Sequence, residues 1–252
     1  KATGMQIQVE RIDLRFPLNL LVRGVEVIQQ PDTLLSLESL NVRVQAWPLL
    51  KGKVEVDEVT LSQVAVNSAN LIEGMQIKGV LGRFFLQSHG VDLSNETAVV
   101  NRTELSDTHI QLLMTDTTTT PKDTTASAPV NWKVNLHQLK LKNVSFGMKL
   151  PADSMKMAAY IGEATIDDAK ADLKNQFYGL KQFLLSGASA SYDTGEAQPS
   201  EGFDASHMAV RNIRIGLDSL LYEGRNMNAV IREITMEERS GLSITSLTGR
   251  LF

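Results

Sequence analysis

Apolar residues along this chain recur in a fixed unit: two of them one apart, a polar pair, then two more one apart. Ile7, Val9, Ile12 and Leu14 set the unit out, and Leu20, Val22, Val25 and Val27 repeat it. Val54, Val56, Val59 and Leu61 carry it on through Val64 and Val66. Further copies run through Val134, Leu136, Leu139 and Leu141, then Met208, Val210, Ile213 and Ile215, then Leu242, Ile244 and Leu247. The skipped pairs are polar or contain glycine: Glu10-Arg11, Arg23-Gly24, Asp57-Glu58, His137-Gln138, Arg211-Asn212 and Thr245-Ser246.

A helix cannot produce this spacing, because steps of two and three at 100° per residue scatter the apolar groups around its axis. A regular strand cannot either, since an odd step moves a side chain to the other face of the sheet. If all the apolar residues share one wall, each polar pair is a bulge, or a corner between two short strands. Bulges restore the facing and bend the strand; repeated on neighbouring strands, they curl the sheet. The spacing therefore predicts an all-β chain with at most one or two short helices. Its antiparallel sheet is strongly curved and forms an apolar groove or half-barrel. An ordinary sandwich of short strands joined by tight turns fits the same spacing.

Strand signals fill residues 4–67, with breaks at Pro17, at Gln30-Pro31-Asp32 and at Trp47–Gly52, the last read as a turn or one helical turn. Ile77, Val80, Leu81, Phe84 and Phe85 then fall at i, i+3, i+4, i+7 and i+8, which predicts a short amphipathic helix near 77–87. Strands resume over Val91–Met114. Residues 115–131 form a polar, Thr-rich run that reads as a flexible loop. The same unit returns over 132–252, so the expectation is one curved lobe over 1–114, the loop, and a continuation of the same sheet. Tyr178-Gly179 marks a break, and Asp193–Phe203 is a second polar loop.

The chain has 252 residues, 42% of them apolar but only 6% aromatic, so its apolar surface is aliphatic. A net charge of −4 gives no electrostatic reason to expect nucleic acid. Lys133, Lys140, Lys142 and Lys149 alternate with apolar residues and read as the solvent face of a strand. Without cysteine there are no disulfides, thiolate metal sites or cysteine nucleophiles. No stretch approaches the roughly 18 apolar residues that cross a membrane. The first residue is Lys1, not an initiator Met, so an absent leader or anchor is uninformative.

Chemistry has little to start from. His89, His109, His137 and His207 are isolated, with no ligand spacing, so no metal and no cofactor is expected. His137 reads as a bulge or turn residue. Asp167-Asp168 and Glu237-Glu238 are adjacent carboxylates, which a strand points to opposite faces, so no catalytic pair is assigned. Serine elbows, phosphate loops and dinucleotide glycine motifs are missing, and the expectation is a non-enzyme. Asn95-Glu96-Thr97, Asn101-Arg102-Thr103 and Asn143-Val144-Ser145 match the N-glycan acceptor pattern, a short motif with many chance hits. Asp116-Thr117-Thr118 and Asp123-Thr124-Thr125 resemble sites that some bacteria O-glycosylate.

An ordered set of motifs lies within residues 4–67. Leu20–Val27 (LLVRGVEV) is followed by Asp32-Thr33-Leu34-Leu35, Leu40-Asn41-Val42-Arg43-Val44, Trp47-Pro48-Leu49-Leu50-Lys51-Gly52-Lys53-Val54 and Val59-Thr60-Leu61. This order resembles the amino-terminal part of the AsmA/TamB family of bacterial envelope proteins, where such a block follows a membrane anchor. The resemblance implies a periplasmic protein anchored to the inner membrane, with a long sheet forming a hydrophobic groove that serves outer-membrane biogenesis. The implied partners are phospholipid or outer-membrane protein segments, and an outer-membrane assembly partner. Val54, Val56, Val59, Leu61, Leu139, Leu141, Ile213 and Ile215 are the candidate groove residues. The reading from another class is a secreted or surface β-sandwich that binds a carbohydrate or protein, for which Trp132 beside the Thr-rich loop is the candidate contact.

Overall fold

The computed structural model describes residues 4–49, 55–69, 71–72, 74–92, 95–114, 131–195 and 198–252. Strands β1 (Gln6–Arg15), β2 (Asn19–Gln29) and β3 (Asp32–Val44) lead to one helical turn, α1 (Ala46–Leu49). Next come β4 (Val56–Asn67), β5 (Met75–Asp92) and β6 (Thr97–Met114), then β7 (Lys133–Leu150) and β8 (Met155–Asp172). The chain ends with β9 (Phe177–Leu180), β10 (Gln182–Asp193), β11 (His207–Glu223), β12 (Asn226–Glu238) and β13 (Ser243–Leu251).

All thirteen strands belong to one curved sheet, laid out almost in chain order from β1 to β13, with short β9 bridging β8 and β11. Each strand packs on its sheet neighbours, and β1 and β13 are edges, so the sheet is open. The two-sheet sandwich is therefore not what forms.

The skipped pairs produce a crease that crosses the sheet. On β3 and β4 the bonded partners are Leu37↔Val64 and Ser39↔Ser62, so Glu38 and Gln63 are passed over together. The same happens at Glu10 with Gly24, Gln63 with Gly82, Gly82 with Asp107, Asp107 with Asn143, and Asn143 with Gly162. Both partners take the extra step at one level, so the register survives while both chains turn their next residues back to the apolar side. Two successive outward residues lengthen the outer arc, and the strand bends toward the apolar face.

From β1 to β10 the left-handed residues of the first crease fall on strands of one direction, whereas on β11, which runs the other way, Asn212 (φ 53°) is left-handed as well. β2, β4, β6, β7 and β10 run the same way, and their crease residues are Gly24 (φ 59°), Gln63 (49°), Asp107 (51°), Asn143 (53°) and Gly187 (61°). On β1, β3, β5 and β8, which run the other way, the crease residues are Glu10, Glu38, Gly82 and Gly162, none of them left-handed. The backbones approach closely there. A Cβ on Gly82 would sit 2.7 Å from Asp107 Cβ, and one on Gly162 would sit 2.9 Å from the Gly187 carbonyl oxygen. A second crease passes through Asn101, His137 and Asp168 (φ 49°).

Three sequence expectations need correction. Residues 77–87 are not a helix but the middle of β5. Ile77, Leu81 and Phe84 do lie on one face, but of a strand, because the crease step at Gly82 mimics a helical i+3. β6 and β7 pair in parallel, the one exception to antiparallel order. Residues 115–132 connect them, above the dozen or so that a parallel crossover needs. The break near Tyr178-Gly179 falls instead at the turn 173–176 and at Lys181, with Phe177–Leu180 a strand. Of the Thr-rich run, residues 115–130 lie outside the described residues, and so do the Asp-Thr-Thr motifs.

Candidate functional site

Cross-strand register assembles one continuous apolar row. It runs Ile12–Val22–Leu40–Leu61–Phe84–Leu105–Leu141–Ala164–Leu185–Ile215–Ile234–Leu247, one residue from each strand of the main path. A second row, one step further from the first crease, includes Leu14, Leu20, Val42, Val59, Leu86, Leu139, Ile166, Phe183, Leu217 and Ile231. Across the crease a third row holds Val9, Val25, Leu37, Val64, Leu81, Val144 and Ile161. At about 4.8 Å per strand, the trough these rows line is on the order of 50 Å long.

Six sequence candidates, Val59, Leu61, Leu139, Leu141, Ile213 and Ile215, share this face. Val56 joins them past the irregularity between Arg43 and Val44, opposite Val44. Val54 lies outside the described residues. Val22, Leu40, Phe84, Leu105, Leu185 and Ile234 line the same row beside these candidates. Phe84 was hidden by the helical reading.

Among the described residues no second layer covers this face. Leu34, Leu37, Ala98, Ala164, Ala188 and Ala229 are its buried apolar residues, and no large side chain is fully buried. The chain exposes 16599 Å², against about 11,000 Å² for a compact globule of its size.

Beside the first apolar row the opposite face is polar, although elsewhere it exposes Val80, Tyr160 and Leu184. Arg11–Arg23–Ser39–Ser62–Arg83–Ser106–Lys142–Glu163–Ser186 runs beside the first apolar row, one residue away on each strand. Arg43 pairs with Glu58 at 2.5 Å, and Arg211 with Glu237 at 3.1 Å. The histidines are each engaged locally. His89 Nδ1 meets Asn101 Nδ2 at 3.0 Å, His137 Nδ1 meets Asp168 Oδ1 at 3.0 Å, and buried His207 meets Asp204 at 3.0 Å. Asn143 of the acceptor-like motif donates to Asp107 at 2.8 Å inside the crease.

The adjacent carboxylates do not converge. At the crease Asp167 and Asp168 both lie outward, contrary to the simple strand rule, yet they serve different partners. Gln138 donates to Asp167 at 3.2 Å, while Lys181 reaches Asp168 at 2.7 Å. Hydrogen bonds from Lys181 and then His137 pull the Asp168 carboxyl down to about 2. Glu237 faces outward to Arg211, whereas Glu238 is buried at the trough end, held below its usual range by the hydroxyl and backbone N–H of Ser240. Backbone N–H groups of Ser200 and Ser206, with His207 between them in strength, lower Asp204 likewise. Trp132 is half-buried, and the most exposed aromatics among the described residues are Phe16, Trp47, Phe203 and Phe252, ahead of Phe146, Tyr160 and Tyr178.

The arrangement offers a long apolar surface and no assembled set of reacting groups among the described residues. No family model matches the chain, and no curated protein matches it significantly.

Proposed function

We propose that this chain is a non-enzymatic groove domain of the AsmA/TamB type that shields phospholipid acyl chains, or apolar outer-membrane protein segments, during outer-membrane biogenesis. On this reading it works in the periplasm and is tethered to the inner membrane in its parent protein. The observation that carries the proposal is the uncovered apolar row running from Ile12 to Leu247 without one polar interruption. The ordered motifs of residues 20–61 support the family, and the single curved sheet supports the groove.

The mechanism is passive. Each CH₂ withdrawn from water contributes about 0.8 kcal/mol, so one acyl chain gains on the order of 10 kcal/mol in a trough that fits it. Because the rows repeat from strand to strand, a chain can slide along them with little change in contact.

A photo-crosslinking residue at Leu141 or Ile215, with one at Lys142 as the outward control, tests the reading. Phospholipid attached at the two trough positions and not at Lys142, together with phospholipid in organic extracts of the gently purified protein, is the expected result. Clean extracts with no difference between the two faces would overturn it.

A further inference from the structure

The outer face carries a second concavity, at the far side of the first crease from the row that starts at Ile12. Its volume is about 1020 Å³, and its floor is made of residues with little or no side chain. Gly147 lies opposite Ala158, Ala158 opposite Ser191, and Ser191 opposite Ala209, so four strands contribute one small residue each at the same level. These residues alternate with trough-facing Phe146, Ala159, Ala190 and Val210, which places the depression on the opposite side of the sheet from the acyl-chain site.

Five cations line it, Lys78, Lys149, Lys156, Arg211 and Arg239, against one acid, Asp193, in a chain whose net charge is −4. Arg211 is paired with Glu237. Among the described residues, Lys78, Lys149, Lys156 and Arg239 have no carboxylate within ion-pair distance. Lys149 and Lys156 are direct cross-strand partners, an arrangement that like charges destabilise. Asp193 lies opposite Lys156 on its other side, yet it does not close a salt bridge. An anion between the two lysines relieves their repulsion.

Hydroxyls complete the ring. Gln111 Nε2 lies 2.8 Å from His109 Nε2, and His109 Nδ1 lies 2.5 Å from Ser145 Oγ. With the Gln111 amide donating to Nε2, the ring proton sits on Nδ1 and goes to Ser145 Oγ. The Ser145 hydroxyl proton is then free to donate into the depression, on the near side of Tyr160, which separates it from Ser189.

We infer that this depression binds a phosphate ester, its phosphate held by Lys149, Lys156 and Lys78 and its organic body resting on the Gly147–Ala158–Ser191 floor. The cavity is too large for inorganic phosphate alone and matches a small organic ligand. A lipid headgroup and a soluble phosphate ester share this chemistry. The inference does not depend on what fills the trough.

The test is titration of the ¹⁵N-labelled protein with glycerol 3-phosphate, with dihexanoyl phosphatidic acid below its micelle concentration, and with inorganic phosphate. Amide shifts centred on Gly147, Ala158 and Ser191 are expected with at least one ester. The exposed double variant Lys149→Gln/Lys156→Gln, with unchanged circular dichroism, should bind that ester roughly tenfold or more weakly. Response to glycerol phosphate supports a soluble ligand, and response to the phosphatidic acid alone supports a headgroup. Inorganic phosphate binding as tightly as the esters would overturn the inference. So would shifts centred on the trough residues Leu141 and Ile215, or an affinity unchanged in the double variant.

Discussion

From β1 to β10 the row that starts at Ile12 and the row from Arg11 to Ser186 run one residue apart, and they face opposite ways. One is aliphatic or Phe at every position. The other consists of serine and charged residues throughout. A sandwich would press the first row against a second sheet and bury it. Here Leu61, Leu105, Leu141 and Ile215 stay only half-buried, packed sideways against their neighbours in the row. The difference teaches that this sheet is stabilised within its own plane, by the hydrogen-bond ladder and by cross-strand apolar pairs. Its apolar face is left available. Position along the row matters as well: Ile12, on edge strand β1, is 64% exposed, whereas Ala164, with a long strand on each side, is 5% exposed.

The two rows can be set against each other by mutation. Leu141→Asp puts a carboxylate between Leu105 and Ala164 and should cost about 3 kcal/mol in urea unfolding. Gly162→Ala drives a Cβ into the Gly187 backbone across the crease and should cost about 2 kcal/mol. The same change at Gly147, whose nearest neighbour would be 3.9 Å away, should be neutral or slightly stabilising. Asn143→Val places a β-branched residue at φ 53° and loses the bond to Asp107, a loss of about 1.5 kcal/mol, whereas Asn143→Gly should recover most of it.

Asp168 gives a pH signature specific to the second crease. Its folded pKa, about 2, lies below the ordinary 3.8, so its bonds to Lys181 and His137 stabilise the fold above pH 3.8. That contribution is lost as the pH falls through about 2. Asp168→Asn should therefore lower the urea midpoint at pH 6 and leave it nearly unchanged at pH 2. A variant equally destabilised at both values would point to packing in place of charge. The smallest effect belongs to the outer row: Lys142→Gln, next to Leu141 but facing water, should stay within about 0.5 kcal/mol.

The sequence carried the curvature openly, because a two-three-two spacing has no flat solution. Val59, Leu61, Leu139, Leu141, Ile213 and Ile215 were legible as one wall for the same reason. Direction was not legible: side-chain alternation is identical in parallel and antiparallel strands, so the β6–β7 pair gave no signal. β5 was misread because Ile77, Leu81 and Phe84 match a helical stripe. Gly82, inside that stripe, is the crease residue that the close approach of Asp107 requires. The outer depression was illegible for a different reason. Gly147, Ala158, Ser191 and Ala209 are unremarkable singly and meet only through register across four strands, and Lys149 alone looked like any solvated lysine.

The shared level of the first crease separates two dimensions of the molecule. Since partner strands from β1 to β8 step together and keep their register, each antiparallel hairpin there has nearly the same bent profile as the last. Adding or removing one changes how long the channel is without changing how wide it is, much as a gutter is cut to length from one extrusion. Width is written in the spacing of residues along a strand, and capacity in the number of strands.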